Sequence, residues 1–98
     1  DDYMSNKFVI VISSTKKNYI LSEIYRIIED NNGTVNKFWR VIKNDKVELN
    51  LIIDSERKER IMRALERYNY KISACFFEND MKDNFEDNFE SLYKYLNP

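Results

Sequence analysis

Histidine is absent from this chain of 98 residues, and cysteine, glycine and proline occur once each. Histidine is the commonest metal ligand and the usual general base near neutral pH, so its absence argues against an enzyme and against a metal site. One cysteine cannot form an internal disulfide, which favours a reducing compartment. We therefore expect a cytoplasmic protein that is not an enzyme and needs no cofactor.

Long apolar runs and an excess of one charge are missing as well. No apolar run approaches the roughly 20 residues that span a bilayer, and no basic segment precedes an apolar stretch as in a secretory signal. The 16 basic side chains nearly balance the 17 acidic ones, so no strong field attracts nucleic acid or anionic lipid. We expect neither a nucleic acid nor a membrane as a partner.

The first half of the chain predicts a strand, a helix and a hairpin. The apolar, mostly β-branched run at 8–12 is typical of a strand buried on both faces. A polar loop at 13–18 leads to apolar residues at helical spacing, and we expect Gly33 to end this helix in the left-handed conformation. Residues 34–42 carry polar side chains on both faces, which suits an edge strand, and 47–53 returns after a turn.

The second half predicts another helix and a fourth strand. Asp54 or Ser55 is expected to cap the helix, and 71–77 reads as the strand. The order strand, helix, strand, strand, helix, strand closes into an antiparallel four-stranded sheet with both helices on one face. The predicted fold is thus α+β and ferredoxin-like, βαββαβ, with the first and third strands in the centre of the sheet.

The C-terminal residues predict an amphipathic helix with an acidic outer face. Its apolar stripe consists of Met81, Phe85, Phe89, Leu92 and Leu96. A helix of this length is marginal in water on its own, so the stripe needs a surface to cover. Two surfaces stay open at this point: the sheet face that carries Val9 and Val11, or a partner chain.

These patterns divide the chain into three parts. Residues 1–6 are expected to be a linker or the remnant of a tag, residues 7–78 the domain, and residues 79–98 the C-terminal helix. Because the sequence begins with Asp1 rather than methionine, we expect either a segment of a longer protein or a chain that starts at Met4 behind tag residues.

Between residues 7 and 77 the chain resembles the ACT domain, the βαββαβ regulatory module of enzymes and sensors in amino-acid metabolism. The resemblance rests on the loop and helix entry at 16–24, the helix exit at 31–35 and the helix-to-strand corner at 64–72. It implies a regulatory domain that senses a small molecule and pairs with another subunit.

A narrower resemblance extends over almost the whole chain. Residues 21–24, 31–32, 66–70 and 91–97 are similar to the C-terminal part of bacterial CBS-domain proteins of the acetoin-utilisation type. In those proteins a CBS pair precedes an ACT-like region. The resemblance implies CBS domains in the full-length chain, with the nucleotide-sensing half outside this sequence.

The polar loop before the first helix is the best candidate for a ligand site, because hydroxyl, ammonium and backbone amide groups near a helix N-terminus favour anions. The candidate ligand-binding residues are Ser13, Ser14, Thr15, Lys16, Asn18 and Tyr19. Ligand-binding ACT domains usually carry Asp and Gly where this chain has Lys16 and Tyr19, so the family's carboxylate is missing here. A solvated loop with a helix cap is the alternative.

Aromatic residues on the predicted edge strand are candidates for an interface. Trp39 is expected to share a face with Val35, and Phe38 to lie on the other face. The candidate interface residues are Val9, Val11, Phe38, Trp39, Phe85, Phe89 and Leu92. Packing within the subunit is the alternative. Cys75 reads as a small buried apolar residue, since no histidine can activate it.

Together these features predict a non-enzymatic regulatory module of a CBS-domain protein, which forms a homodimer and senses a small-molecule effector such as an amino acid. A dimerisation domain without a ligand is the first alternative. A ferredoxin-like RNA binder or a small hydrolase is the last, because the chain lacks the Gly-aromatic RNA-binding pattern and an arginine in the loop at 13–18.

Overall fold

A computed structural model of the chain describes residues 6–77. The elements are β1 (Lys7–Thr15), α1 (Leu21–Asp30), β2 (Thr34–Lys43), β3 (Lys46–Asp54), α2 (Lys58–Arg67) and β4 (Lys71–Phe77). The strands form one antiparallel sheet in the order β2-β3-β1-β4. The ferredoxin-like arrangement and the central positions of the first and third strands are thus confirmed. The expected C-terminal helix lies outside the described residues.

Alternate residues of the central strands face the two helices, and this side of the sheet is called the helix face. Apolar side chains from β1, β3, α1 and α2 form one buried core there. The side chains buried most completely are Phe8, Ile10, Ile12, Ile24, Ile28, Val47, Leu49, Leu51, Ile53, Ile61 and Leu65. Each contributes about 1.5–3 kcal/mol on burial. The opposite side of the sheet is called the open face.

Helix α1 ends in a Schellman motif whose left-handed residue is not the glycine. The Gly33 amide donates to the Ile28 carbonyl at 2.9 Å, and the Asn32 amide donates to the Glu29 carbonyl at 3.2 Å. Asn32 has φ 64°, whereas Gly33 has a negative φ. The expectation that Gly33 adopts the left-handed conformation is therefore wrong, because asparagine tolerates that conformation and occupies the position instead.

The same motif ends α2. Asn69 has φ 68°, its amide donates to the Glu66 carbonyl at 2.9 Å, and the Tyr70 amide donates to the Leu65 carbonyl at 3.0 Å. This turn directs Tyr70 into the core, where it is buried. Both helix-to-strand corners are thus built from an asparagine followed by a residue that packs inward.

A bulge in β2 changes which residues share a face. Val35 pairs with Ile53 and Lys37 pairs with Ile52, so Asn36 is left without a partner in β3. Val35 therefore packs against the helix-face core together with Phe38. The expectation that Val35 and Trp39 share a face is wrong for this reason.

The start of α2 also differs from the prediction. Asp54 is the last residue of β3, and the helix begins at Lys58 with Arg57 at the cap position. The Ser55 hydroxyl accepts a hydrogen bond from the Arg57 amide at 2.9 Å, while the Ser55 amide donates to the Asn6 carbonyl at 3.1 Å. Ser55 thus stabilises the turn before the helix and does not cap the helix itself.

Replacing Gly33 with alanine is expected to destabilise the fold by about 1–3 kcal/mol, because overpacking forces neighbouring atoms to shift. A Cβ atom at this position would lie 2.7 Å from Ile28 Cγ2 and 2.8 Å from Ile61 Cδ1. The matched control is Asn32→Gly, which relieves the left-handed strain and should leave stability within about 0.5 kcal/mol or raise it. Urea unfolding of both variants checks this, and equal stability of Gly33→Ala and the wild type would contradict it.

Candidate functional site

The centre of the open face is apolar. Val9 pairs with Ile52 on one side and with Phe76 on the other, and Val11 pairs with Ala74. Cross-strand partners share a face, so these five side chains form one cluster, which we call the apolar patch. Val9 and Val11 are only 6% and 9% exposed. The predicted interface residues of β1 therefore lie in the middle of this patch.

Trp39 borders the apolar patch on the edge strand β2. It pairs with Asn50, which in turn pairs with Val11. The Trp39 Nε1 atom is buried and has no hydrogen-bond partner among residues 6–77. A buried donor without a partner costs about 1–3 kcal/mol, so this atom is suited to an acceptor from outside the described part of the chain.

The end of the open face near the β2–β3 turn is polar and forms a cleft of about 920 Å³, which we call the hairpin-end cleft. Its lining includes Ser13, Thr15, Lys43, Lys46, Glu48 and Lys71. Lys46 pairs with Lys43 on one side and Thr15 on the other, and Ser13 lies between Glu48 and Lys71. The open face is thus divided into an apolar centre and a lysine-rich end.

The predicted ligand residues separate into three environments. Ser13, Ser14 and Thr15 belong to β1 and line the hairpin-end cleft, because the strand continues further than expected. Lys16 and Asn18 lie in the exposed turn that follows, where the Asn18 amide donates to the Thr15 carbonyl at 3.2 Å.

Tyr19, the last of that set, packs against the helix-face core. Its hydroxyl accepts a hydrogen bond from Arg40 Nη1 at 2.7 Å. Tyr19 therefore lies on the other side of the sheet from Ser13 and Thr15. The structure does not bring the six predicted residues together in one site.

The cleft lysines were missed by sequence reasoning, although part of the signal is present. A two-residue turn, Asn44 and Asp45, places Lys43 opposite Lys46, and Asn44 has the positive φ of 59° that such turns require. The position of Lys71 depends on a bulge in the β1–β4 pairing, which has no sequence signature. The turn could have identified two of the three lysines.

Tyr70 connects the end of α2 to the start of α1. Its hydroxyl donates to Glu23 Oε1 at 2.6 Å and accepts from the Ile20 amide at 3.2 Å. Since α1 has no side-chain cap of its own, this hydroxyl satisfies one of the free amides at the helix start. Burial raises the pKa of the Tyr70 phenol, and the hydrogen bond to Glu23 raises it further.

Cys75 and the acidic side chains are the remaining candidates for a reactive or metal-binding role. Burial raises the pKa of the Cys75 thiol against the opposing effect of Lys58, so the reactive thiolate is disfavoured at neutral pH. Among residues 6–77, no group of three or more acidic or cysteine side chains could hold a metal ion. Neither of the helices described has the length and apolarity to cross a bilayer.

Phe38 and the C-terminal interface candidates have different positions. The Phe38 ring meets the Tyr25 ring edge-on, with 6.4 Å between centroids, so Phe38 packs within the subunit on the helix face. Phe85, Phe89 and Leu92 lie outside the described residues.

Comparison with known proteins gives structural neighbours only. No family model matches the sequence, and no curated protein matches it. The ACT domain of GTP pyrophosphokinase from Chlorobium tepidum is similar, with a TM-score of 0.50 and 16% identity over 74% of this chain and 94% of that one. Protein BT0572 from Bacteroides thetaiotaomicron has a TM-score of 0.53 and 17% identity over 71% of this chain.

The fold is ACT-like. At such low identities the likeness concerns the fold alone. This chain spans 46% of the length of BT0572. The expected connection to CBS-domain proteins stays a prediction.

Tyr70→Phe is expected to lower stability at neutral pH by about 1–2 kcal/mol, since it removes the hydrogen bonds to Glu23 and Ile20. Because the pKa of Tyr70 is raised in the folded state, its stabilisation is complete below a pH of about 10 and is lost as the pH rises through the folded-state pKa. The variant should therefore lose less stability than the wild type above that pH.

Thermal unfolding between neutral pH and pH 11 measures both effects. Tyr68→Phe is the control, because Tyr68 is exposed and lies two residues before Tyr70, and this variant should stay within about 0.5 kcal/mol of the wild type. Parallel alkaline curves for Tyr70→Phe and the wild type would show that the phenol does not couple to folding.

Proposed function

We propose that this chain is a non-enzymatic regulatory domain that forms a homodimer and senses a small-molecule effector such as an amino acid. The observation that carries this proposal is the apolar patch on the open face of an ACT-like sheet. A patch at the centre of a sheet face is suited to a second layer of structure, because stacked layers bury such side chains at a separation of about 10 Å.

A second copy of the chain supplies that layer in our proposal. A two-fold dimer places the same patch on both sides of the interface, so apolar side chains meet apolar side chains. Trp39 contributes a large aromatic ring at the border of the patch. This arrangement assigns Val9, Val11 and Trp39 to the interface and leaves Phe38 in the subunit core.

The CBS domains that the sequence resemblance implies are the proposed partners within the full-length chain, in the cytoplasm. In this arrangement, pairing of the ACT-like domains communicates to or from the CBS domains whether a ligand is bound. The fold and the apolar patch support pairing, and the sequence resemblance alone supports the CBS connection. A dimerisation domain without a ligand is the second candidate, because the patch argues for assembly independently of any ligand.

The C-terminal residues supply additional cover for the open face, in cis or from the partner. Residues 78–98 contain six acidic side chains and two lysines, whereas the rest of the chain has an excess of basic ones. The open face carries Lys37 next to Ile52 of the apolar patch. Opposite charge and the predicted apolar stripe both favour contact between this segment and the open face.

Phe76→Asp is expected to weaken dimerisation by more than tenfold, or about 1.4 kcal/mol, because a charge enters the apolar patch twice per dimer. The matched control is Phe77→Asp. Phe77 is the next residue, points to the other side of the sheet, is 49% exposed and lies beneath Lys58 Nζ at 3.9 Å. Sedimentation velocity over a concentration series measures the effect.

A monomeric wild type, or equal loss of dimer in both variants, would argue against the open face as the interface. Phe85→Asp combined with Phe89→Asp tests the C-terminal segment in the same experiment. Loss of stability without loss of dimer places that segment in cis, and loss of dimer places it at the interface. Unchanged stability and oligomer size would remove it from the proposal.

A thermal-shift screen against the amino acids tests the sensing function. A ligand at about 100 times its dissociation constant should add about 2.7 kcal/mol of stability. For a domain of this size that corresponds to a rise in Tm on the order of 4–8 °C per kcal/mol. A rise with one class of amino acid supports the sensor, and no rise with any of them favours the dimerisation domain without an amino-acid ligand.

A further inference from the structure

We propose that the hairpin-end cleft binds a small molecule that carries phosphate groups. The geometry of the cleft supports binding, and a regulatory role for that binding rests on the proposed function. The cleft lies on the open face, and its lining includes three of the six residues that the sequence predicted to bind a ligand, Ser13, Ser14 and Thr15. Its volume, about 920 Å³, falls within the usual range of small-molecule sites.

Lys43 and Lys46 lie side by side at the end of the hairpin. These residues are direct cross-strand partners on the open face, and like charges in such pairs destabilise a sheet. Within residues 6–77 neither ammonium group forms an ion pair. An anion placed between them would remove the repulsion and would be held by two charged donors.

Further hydrogen-bond donors surround this lysine pair. Thr15 is the partner of Lys46 on β1, and Ser13 is the partner of Lys71 on β4. Two hydroxyl groups and three ammonium groups therefore converge on one cleft from four strands. Hydroxyl donors stay neutral and can rotate, so they suit the several oxygens of a phosphate group.

Acidic groups also line the cleft, and they reduce its net positive charge. Glu48 pairs with Ser13 and Val41, and Asp45 lies in the turn between the two lysines. Three lysines still exceed these two carboxylates. The Glu48 carboxylate thus opposes binding of an anion. Removing its charge should therefore strengthen binding, whereas removing the lysine charges should weaken it.

Phosphate is favoured over carboxylate as the recognised group because the charged donors are all lysines. A planar carboxylate is matched best by the fork of an arginine, and no arginine lines this cleft. Compact ammonium groups on flexible stems suit a phosphate, whose charge is distributed over tetrahedrally arranged oxygens.

The experiment is calorimetric titration of the full chain with pyrophosphate at low and moderate salt. Saturable binding that weakens as salt is added is expected. The double variant Lys43→Gln and Lys46→Gln should bind at least tenfold more weakly. Arg26→Gln combined with Arg60→Gln is the control, because these exposed residues lie on α1 and α2 and remove the same charge from the other side of the sheet. This control should keep the wild-type affinity within about twofold.

Glu48→Gln should bind pyrophosphate several-fold more tightly, since it removes the opposing carboxylate. Without ligand, the double lysine variant should have a higher Tm than the wild type, because the cross-strand repulsion is gone. The second measurement also establishes that the variant folds.

Three results would overturn the proposal: no binding by the wild type, equal weakening in the arginine control, or weaker binding after Glu48→Gln. Sedimentation of each variant distinguishes failure of the phosphate site from failure of the proposed homodimer. A dimer that binds no pyrophosphate refutes only the phosphate site. A monomer that binds pyrophosphate refutes only the dimer.

Discussion

Burial of β1 on both faces is the constraint on which the rest of the structure depends. Phe8, Ile10 and Ile12 must be covered by the helices, and Val9 and Val11 must be covered on the opposite side. A strand of this kind has to be central, so β3 and β4 pair with it, and β2 and β4 form the two edges of the sheet. The same five residues place apolar side chains on both faces of the sheet.

The two helices end in similar corners, which lead into β2 and β4. At each helix end an asparagine takes the left-handed conformation, and the following residue turns inward: Gly33 beneath Ile61, and Tyr70 toward Ile20 and Glu23. Because Gly33 has no side chain, the first corner allows α1 to pack closely against Ile61 of α2. The second fixes the start of α1 through a hydroxyl group, which explains how α1 begins without a cap of its own.

Much of the fold could be predicted because apolar periodicity reports which residues must be buried. The strand order and the two helices follow from it. What could not be predicted depends on tertiary register: the bulge at Asn36 moves Val35 to the helix face, and the pairing of β1 with β4 places Lys71 beside Ser13. For the same reason the polar stretch from Ser13 onward looked like one loop, although its first three residues continue the strand.

The open face shows why charge and apolar area need to be considered together. A uniformly apolar face would associate without regard to orientation, whereas this face has an apolar centre next to a lysine-rich end. In a two-fold pair of such faces, the position of the axis decides whether the lysine clusters of the two subunits approach each other or stay apart. If they approach, their repulsion opposes dimerisation unless an anion neutralises it. Occupancy of the hairpin-end cleft and pairing through the apolar patch would then be thermodynamically linked, so that each strengthens the other by the same factor.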